Sequence, residues 1–236
     1  MQTKILTIID YGAGNLRSVA KAMEYVAASA QMPVTIHISS DVEAVLQSTH
    51  IILPGVGAFG DCMRGLQQLS GMITALEKQV LQKQIPFLGI CVGMQMLLEY
   101  GHEHGRHQGL GWFKGEVLPL SPADKTLKIP HMGWNNLFFT GAKAAPDPTL
   151  RAAPCADINL LFTNIENRAH AYFVHSYHCA MQHEEEIIAT TDYGGAVTAA
   201  IARGNIMAVQ FHPEKSQETG LRLFENFLNM PHATSR

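Results

Sequence analysis

The chain has 236 residues, of which 47% are hydrophobic and 16% charged, and a formal net charge of −3 at pH 7. That length suits a single large α/β domain with a substantial core, and the absence of an apolar run of about 18 residues or a basic-then-apolar leader argues against a membrane span and for a soluble, cytoplasmic protein. Its scattered Lys and Arg form no basic stripe to neutralise nucleic-acid phosphates, so nucleic acid is not an expected partner.

In chain order, the β-branched run from Lys4 to Asp10 predicts a strand, and Leu16 to Ala28 has helical periodicity. Val34 to Ile38 predicts a second strand, followed by the cap-like Ser39-Ser40-Asp41 and a short helix through Leu46. Ile51 to Leu53 reads as a buried strand entering Pro54-Gly55-Val56-Gly57-Ala58-Phe59-Gly60, and Met63 to Gln84 as helix with a break near Ser70-Gly71. Ile85 to Ile90 is another apolar strand stopped by Cys91, after which Val92 to Tyr100 is expected as a helix closed by Gly101. From about Gly109 the chain is strand-rich, with strands expected at Gly115 to Leu120, Asn136 to Thr140, Ala171 to Cys179 and Glu186 to Thr191, and a helix near Thr219 to Leu228. Gly141 to Ala156, rich in Ala and Pro, is expected as an exposed loop. Alternating apolar strands and helices imply a doubly wound, mostly parallel sheet covered on both faces, with a strand-rich C-terminal half.

Cys62, Cys91, Cys155 and Cys179 make neither CxxC pairs nor a disulfide framework, which favours a reducing compartment. His102, His104 and His107 cluster in HEHGRH, but no cysteine or carboxylate at ligand spacing completes a metal site, and a polar loop is the reading preferred. Neither a metal nor a cofactor is called for.

Gly89-Ile90-Cys91-Val92-Gly93 places a cysteine between glycines at a strand-to-helix junction, the logic of the G-x-S-x-G nucleophile elbow with Cys for Ser. The turn puts the thiol at a helix N-terminus, where free N–H groups favour thiolate and can receive an oxyanion. Taken alone, the motif is equally well a buried structural cysteine. Phe211-His212-Pro213-Glu214 follows the apolar run Ile206 to Gln210. In an extended segment, residues two apart project to the same side, about 6.5 to 7 Å between Cα atoms, so Glu214 is expected to hold the imidazole of His212. Pro213 pushes His212 towards extended geometry. A thiol with an ordinary pKa of about 8.5 needs an adjacent base, and His212 fills that role with Glu214 fixing its tautomer. Val56, in the Gly-rich Pro54-Gly55-Val56-Gly57, and Val92 are the candidate oxyanion donors through their N–H groups.

These residues resemble the class I (triad) glutamine amidotransferases, and within them the glutaminase subunits of imidazole glycerol phosphate synthase. The blocks that carry the resemblance are IDYGAGNL, LPGVGAFG, GICVGMQ, GLGW, PHMGWN, YFVHSY and QFHPEKS, which run through nearly the whole chain in the family's order. The resemblance implies one amidotransferase domain over residues 1–236 that hydrolyses L-glutamine to L-glutamate and ammonia through a thioester on Cys91. It further implies a heterodimer with a (β/α)8 cyclase subunit, which uses the ammonia to form imidazole glycerol phosphate and an aminoimidazole carboxamide ribotide in histidine biosynthesis. By matching position, Gly57, Gln95, His175, Ser176 and Tyr177 are expected to hold the substrate glutamine, and Asn15, Trp134 and Lys215 to face the partner barrel. The stretch from Gly141 to His170 is longer than the family pattern leads one to expect.

Other readings are a lone α/β cysteine hydrolase, a non-catalytic subunit of the same fold, and a paralogous amidotransferase that feeds ammonia to nucleotide-sugar or surface-polysaccharide synthesis. PHMGWN and the intact set of Cys91, His212 and Glu214 argue against the first two. The third differs only in its partner.

Overall fold

A computed structural model describes residues 3–12, 14–140 and 158–231. The first half alternates as expected: β1 (Lys4–Ile9), α1 (Leu16–Ser29), β2 (Val34–Ser39), α2 (Val42–Leu46), β3 (His50–Gly55), α3 (Phe59–Gln68), α4 (Met72–Leu76), a π-helical turn (Glu77–Gln82), β4 (Phe87–Cys91) and α5 (Val92–Gln95). Helix α1 buries Val19, Ala20, Met23, Val26 and Ala27, one stripe at helical spacing, and Asp41 caps α2 by accepting from the Glu43 N–H at 3.0 Å. The second half contains β5 (Tyr100–Gly101), β6 (His107–Gln108), β7 (Gly115–Pro119), β8 (His131–Asn136), β9 (Phe138–Phe139), α6 (Ile158–Leu161), β10 (His170–His175), β11 (Tyr177–Met181), β12 (Ile187–Asp192), β13 (Ala196–Arg203), β14 (Ile206–Val209) and α7 (Gln217–Leu228).

The main sheet has eight strands in the order β2-β1-β3-β4-β14-β13-β12-β9. From β2 to β14 neighbours run parallel, and β13, β12 and β9 continue antiparallel. Every residue of β3, β4 and β14 is buried, the signature of a sheet covered on both faces. Helix α1 packs on α7, while α2 and α3 both pack on α4. Two smaller sheets, β10-β8 and β11-β7-β5-β6, complete the strand-rich half.

Three expectations change. The helix after Cys91 ends at Gln95 instead of reaching Tyr100, because residues 92–98 are buried all round and their carbonyls serve other partners: Leu97 O and Leu98 O accept from Phe113 N and Gly111 N. Gly101 is accordingly not a helix cap. It lies in β5, where a Cβ would sit 2.5 Å from the Phe59 ring. The single strand expected over Ala171 to Cys179 divides at Ser176 into β10, paired with β8, and β11, paired with β7. The strand expected at Asn136 to Thr140 is displaced: β8 occupies His131–Asn136, and only Phe138–Phe139 pairs onward with β12. His107 begins β6, so HEHGRH is a turn running into a short strand. The loop expected over 141–156, with Cys155, lies outside the described residues.

Candidate active site

Cys91 ends β4 with φ 55° and ψ −112°, a left-handed conformation for a residue with a side chain, and α5 starts at the next residue. Such a backbone costs on the order of 1–3 kcal/mol and persists only where the surroundings over-determine it. Here they do. A Cβ on Gly93 would sit 1.9 Å from Leu53 O, and one on Gly55 would sit 2.5 Å from Gly93 N, so these two glycines let β3 press against the start of α5.

Strand register then selects the neighbours of Cys91. In β3, Gly55 pairs with Cys91, which places Val56 beside Val92 at the strand ends. In β14, Val209 pairs with Ile90, so Gln210 arrives beside Cys91 and His212 follows two residues later. All of these groups lie at the carboxyl ends of parallel strands, where open α/β sheets place their ligands.

His212 and Glu214 meet as expected, but not along a strand. His212 is extended (φ −101°, ψ 98°), and Pro213–Lys215 form a 3₁₀ turn that brings Glu214 back to the imidazole. The His212 Nδ1–H donates to Glu214 Oε1 at 2.8 Å, with the two side chains 3% and 0% exposed. Since a carboxylate only accepts, the proton sits on Nδ1 and Nε2 is left for the Cys91 sulfur. Burial alone would disfavour the imidazolium; hydrogen bonding to Cys91 and Glu214 and their charges outweigh it and raise the His212 pKa to about 9. Ser216, which sequence reasoning missed, steadies the turn: its Oγ–H donates to His212 O at 2.7 Å and its Oγ accepts from Tyr172 N–H at 3.0 Å.

A cleft of about 420 Å³ opens over Cys91. Its walls include Val56, Gly57, Val92, Gln95, His175, Ser176, Tyr177, His212, Asn15 and Lys215, so the residues expected at substrate and oxyanion positions converge with Cys91 and His212 on one cavity, whereas the Glu214 side chain is fully buried and does not line it. Gly57 has φ +117°, and the Cys62 Sγ–H donates to the Val56 carbonyl at 3.7 Å.

Two of these residues offer less than expected. The Gln95 amide nitrogen donates to Tyr177 O at 3.1 Å and to Gln210 Oε1 at 3.0 Å, which leaves its carbonyl oxygen for a ligand. His175 has both ring nitrogens engaged, with Tyr177 O at 2.8 Å and His131 Nδ1 at 3.0 Å, so it shapes the wall. Burial is the main reason that His175 titrates at about 3 and His131 at about 4, and both are neutral at neutral pH.

Asn15 has φ 71° and does not cap α1 with its side chain; its Nδ2 donates to Glu214 Oε1. Trp134 is 48% exposed and meets the Tyr172 ring edge-on at 5.8 Å. Lys215 Nζ lies 5.8 Å from the centre of the same ring. Met132, also on β8, is exposed beside Trp134, so the outer face of β8 is apolar.

The glutamine amidotransferase class-I family model matches residues 7–230, and the chain belongs to that family. A solved structure described as a glutamine amidotransferase shares the fold, with a TM-score of 0.64 over 94% of this chain and 96% of that one at 16% identity. The imidazole glycerol phosphate synthase subunit HisH of Rhodospirillum rubrum is 50% identical over 223 residues, 94% of this chain and 97% of that one. The subunit of the same name from Zymomonas mobilis is 48% identical over 224 residues, 95% of each chain. Within class I, the chain is thus a member of the HisH group.

Proposed function

We propose that this protein is the glutaminase subunit of an imidazole glycerol phosphate synthase, with Cys91 as nucleophile, His212 as acid and base, and Glu214 as the carboxylate that orients the imidazole. The observation that carries the reading is the strained Cys91 at the β4–α5 junction, lining one cleft with a His212 that is itself held by Glu214. Residues 1–236 act as one amidotransferase domain.

The Cys91 thiolate attacks the side-chain amide carbon of L-glutamine, and the N–H groups of Val92 and Val56 receive the oxyanion. The His212 imidazolium gives its proton to the amide nitrogen as the C–N bond breaks, releasing ammonia and leaving a γ-glutamyl thioester. Water, losing a proton to His212, then attacks the thioester; the C–S bond breaks and L-glutamate leaves. Gly57, Ser176, Tyr177 and the Gln95 carbonyl oxygen line the space for the amino-acid part of the substrate.

The relatives' shared name, a subunit of a synthase, supports a partner enzyme that consumes the ammonia. That partner is a (β/α)8 cyclase of histidine biosynthesis, and the pair works in the cytoplasm. Among the described residues no helix is long and apolar enough to cross a membrane. The exposed Met132 and Trp134, with Lys215 beside the same Tyr172 ring, form the surface for the barrel, and Asn15, which donates to Glu214, joins it. The test is glutamate release by the complex with wild-type chain and with Cys91→Ala. Loss of turnover in the variant is expected; near-normal release would remove Cys91 from the mechanism.

A further inference from the structure

The buried polar groups around Cys91 include one for which the triad has no use. Gln210 is fully buried, and its side-chain Nε2 lies 3.7 Å from Cys91 Sγ, within hydrogen-bond range for sulfur. Its backbone is fixed by donation to Ala199 O at 2.8 Å.

An amide can be turned over, and here the surroundings decide which way it points. Tyr177 O is a carbonyl and only accepts, so Gln95 must present its NH₂ group there. The second hydrogen of that NH₂ reaches Gln210 at 3.0 Å, which requires Gln210 to offer its oxygen. The nitrogen of Gln210 is then the end directed at Cys91. His175 Nδ1–H also donates to Tyr177 O, at 2.8 Å, which holds the anchoring carbonyl from a second side. The orientation runs as one chain of donors from a main-chain carbonyl to the sulfur.

We propose that Gln210 is a second donor to the nucleophile: its amide, fixed in one orientation by Gln95 and Tyr177, hydrogen-bonds the Cys91 thiolate and holds it in line with the cleft. The proposal deepens the glutaminase reading and rests on it. A buried thiolate with His212 as its sole partner would have unsatisfied lone pairs, and a donor to an ionised acceptor is worth more than one to a neutral acceptor. The opposite preference belongs to Val174 O, 4.0 Å from Sγ, which accepts from a thiol and repels a thiolate. The other titratable groups that sense Cys91 are Tyr11, Cys62 and Cys179, and burial raises the pKa of each, so they are neutral at neutral pH. His212 and Gln210 therefore supply the stabilisation from side chains.

The test measures Cys91 alkylation by iodoacetamide against pH in the full chain, alone and with its cyclase partner, for wild type and Gln210→Met. Met keeps the length and removes the donor. The expected result is a thiolate titration midpoint higher by about one pH unit, hence about tenfold slower alkylation below it, with kcat lowered about tenfold and KM little changed. An unchanged pH profile in folded Gln210→Met overturns the proposal while leaving the glutaminase reading intact. Turnover retained by Cys91→Ala in the same series would remove that reading instead. If Gln210→Met does not fold, the side-chain ¹⁵N resonance of Gln210 in wild type decides: it is expected to shift with Cys91 ionisation and to lose that shift once Cys91 is alkylated, and no response overturns the proposal.

Discussion

Gly55 pairs with Cys91 across the β3–β4 ladder, and a Cβ on Gly55 would stand 2.5 Å from Gly93 N. One register thus sets both the strained turn of the nucleophile and the approach of Val56 to Val92. Gly93 is the tighter point, since its Cβ would lie 1.9 Å from Leu53 O, a backbone atom that cannot swing away. Gly93→Ala is expected to destabilise the fold by about 3 kcal/mol or more, at the upper end of overpacking effects. Thermal melting checks this; a melting temperature within a degree of wild type would show that β3 can move aside.

The carboxylate of Glu214 holds the His212 ring in its working tautomer. Glu214→Gln is expected to leave a folded protein with kcat reduced about 10-fold or more, by analogy with triads in which a wrong tautomer is costly. Steady-state kinetics, with circular dichroism as the control for folding, check it; wild-type turnover would mean that another group orients the ring.

Asn15 donates to the oxygen of Glu214 that also receives His212. Asn15→Ala removes that donor and is expected to lower kcat about tenfold to a hundredfold, the scale of one hydrogen bond to a charged group. Asn15→Asp should cost more, because it sets a second carboxylate against Glu214. Equal kinetics for the two variants would argue that Asn15 serves only the partner surface.

The pH dependence follows from His212, whose pKa is raised to about 9 by Cys91 and Glu214 against the opposing effect of burial. A raised folded-state value contributes stability that is fully present below the unfolded value of about 6.5 and is lost as pH rises through about 9. Cys91→Ala removes one cause of the rise, so His212 should titrate lower in that variant and its stability should fall off at lower pH. Side-chain NMR of His212 and denaturant midpoints between pH 6 and 10 check this. Identical His212 titrations in the two proteins would mean that Glu214 alone sets the value.

Gly57 at φ +117° beside Val56 gives the oxyanion loop access to more than one peptide orientation. The isolated chain is expected to be a slow glutaminase that speeds up about a hundredfold when the cyclase and its acceptor ligand align the Val56 N–H, the scale of one oxyanion donor. Glutamate production by the chain alone, with partner, and with partner plus acceptor checks it. Equal turnover in all three would remove the loop from the control of activity.

Much of this site was legible in the sequence because its requirements are local. The strained turn at Cys91 demands small residues at Gly89 and Gly93, and Pro213 restricts His212 without reference to the rest of the fold. What depends on pairing was hidden. Gln210 matters only because Val209 meets Ile90, and Ser216 only because its turn meets Tyr172. The continuous apolar and polar pattern from Ala171 to Cys179 conceals the change of partner strand at Ser176. Helical spacing after Cys91 suggested a helix to Tyr100, whereas burial on every side shortened it to Gln95.

In the proposed reaction, glutamine is opened at the Sγ atom of Cys91. The most direct test is reaction of the complex with 6-diazo-5-oxo-L-norleucine, a glutamine-like electrophile, read by intact mass and peptide mapping alongside residual glutamate production. One adduct per chain is expected, located on Cys91, formed in step with loss of activity and absent in Cys91→Ala. An adduct on Cys62 or Cys179 that tracks the loss of activity, or full activity with Cys91 modified, would contradict it.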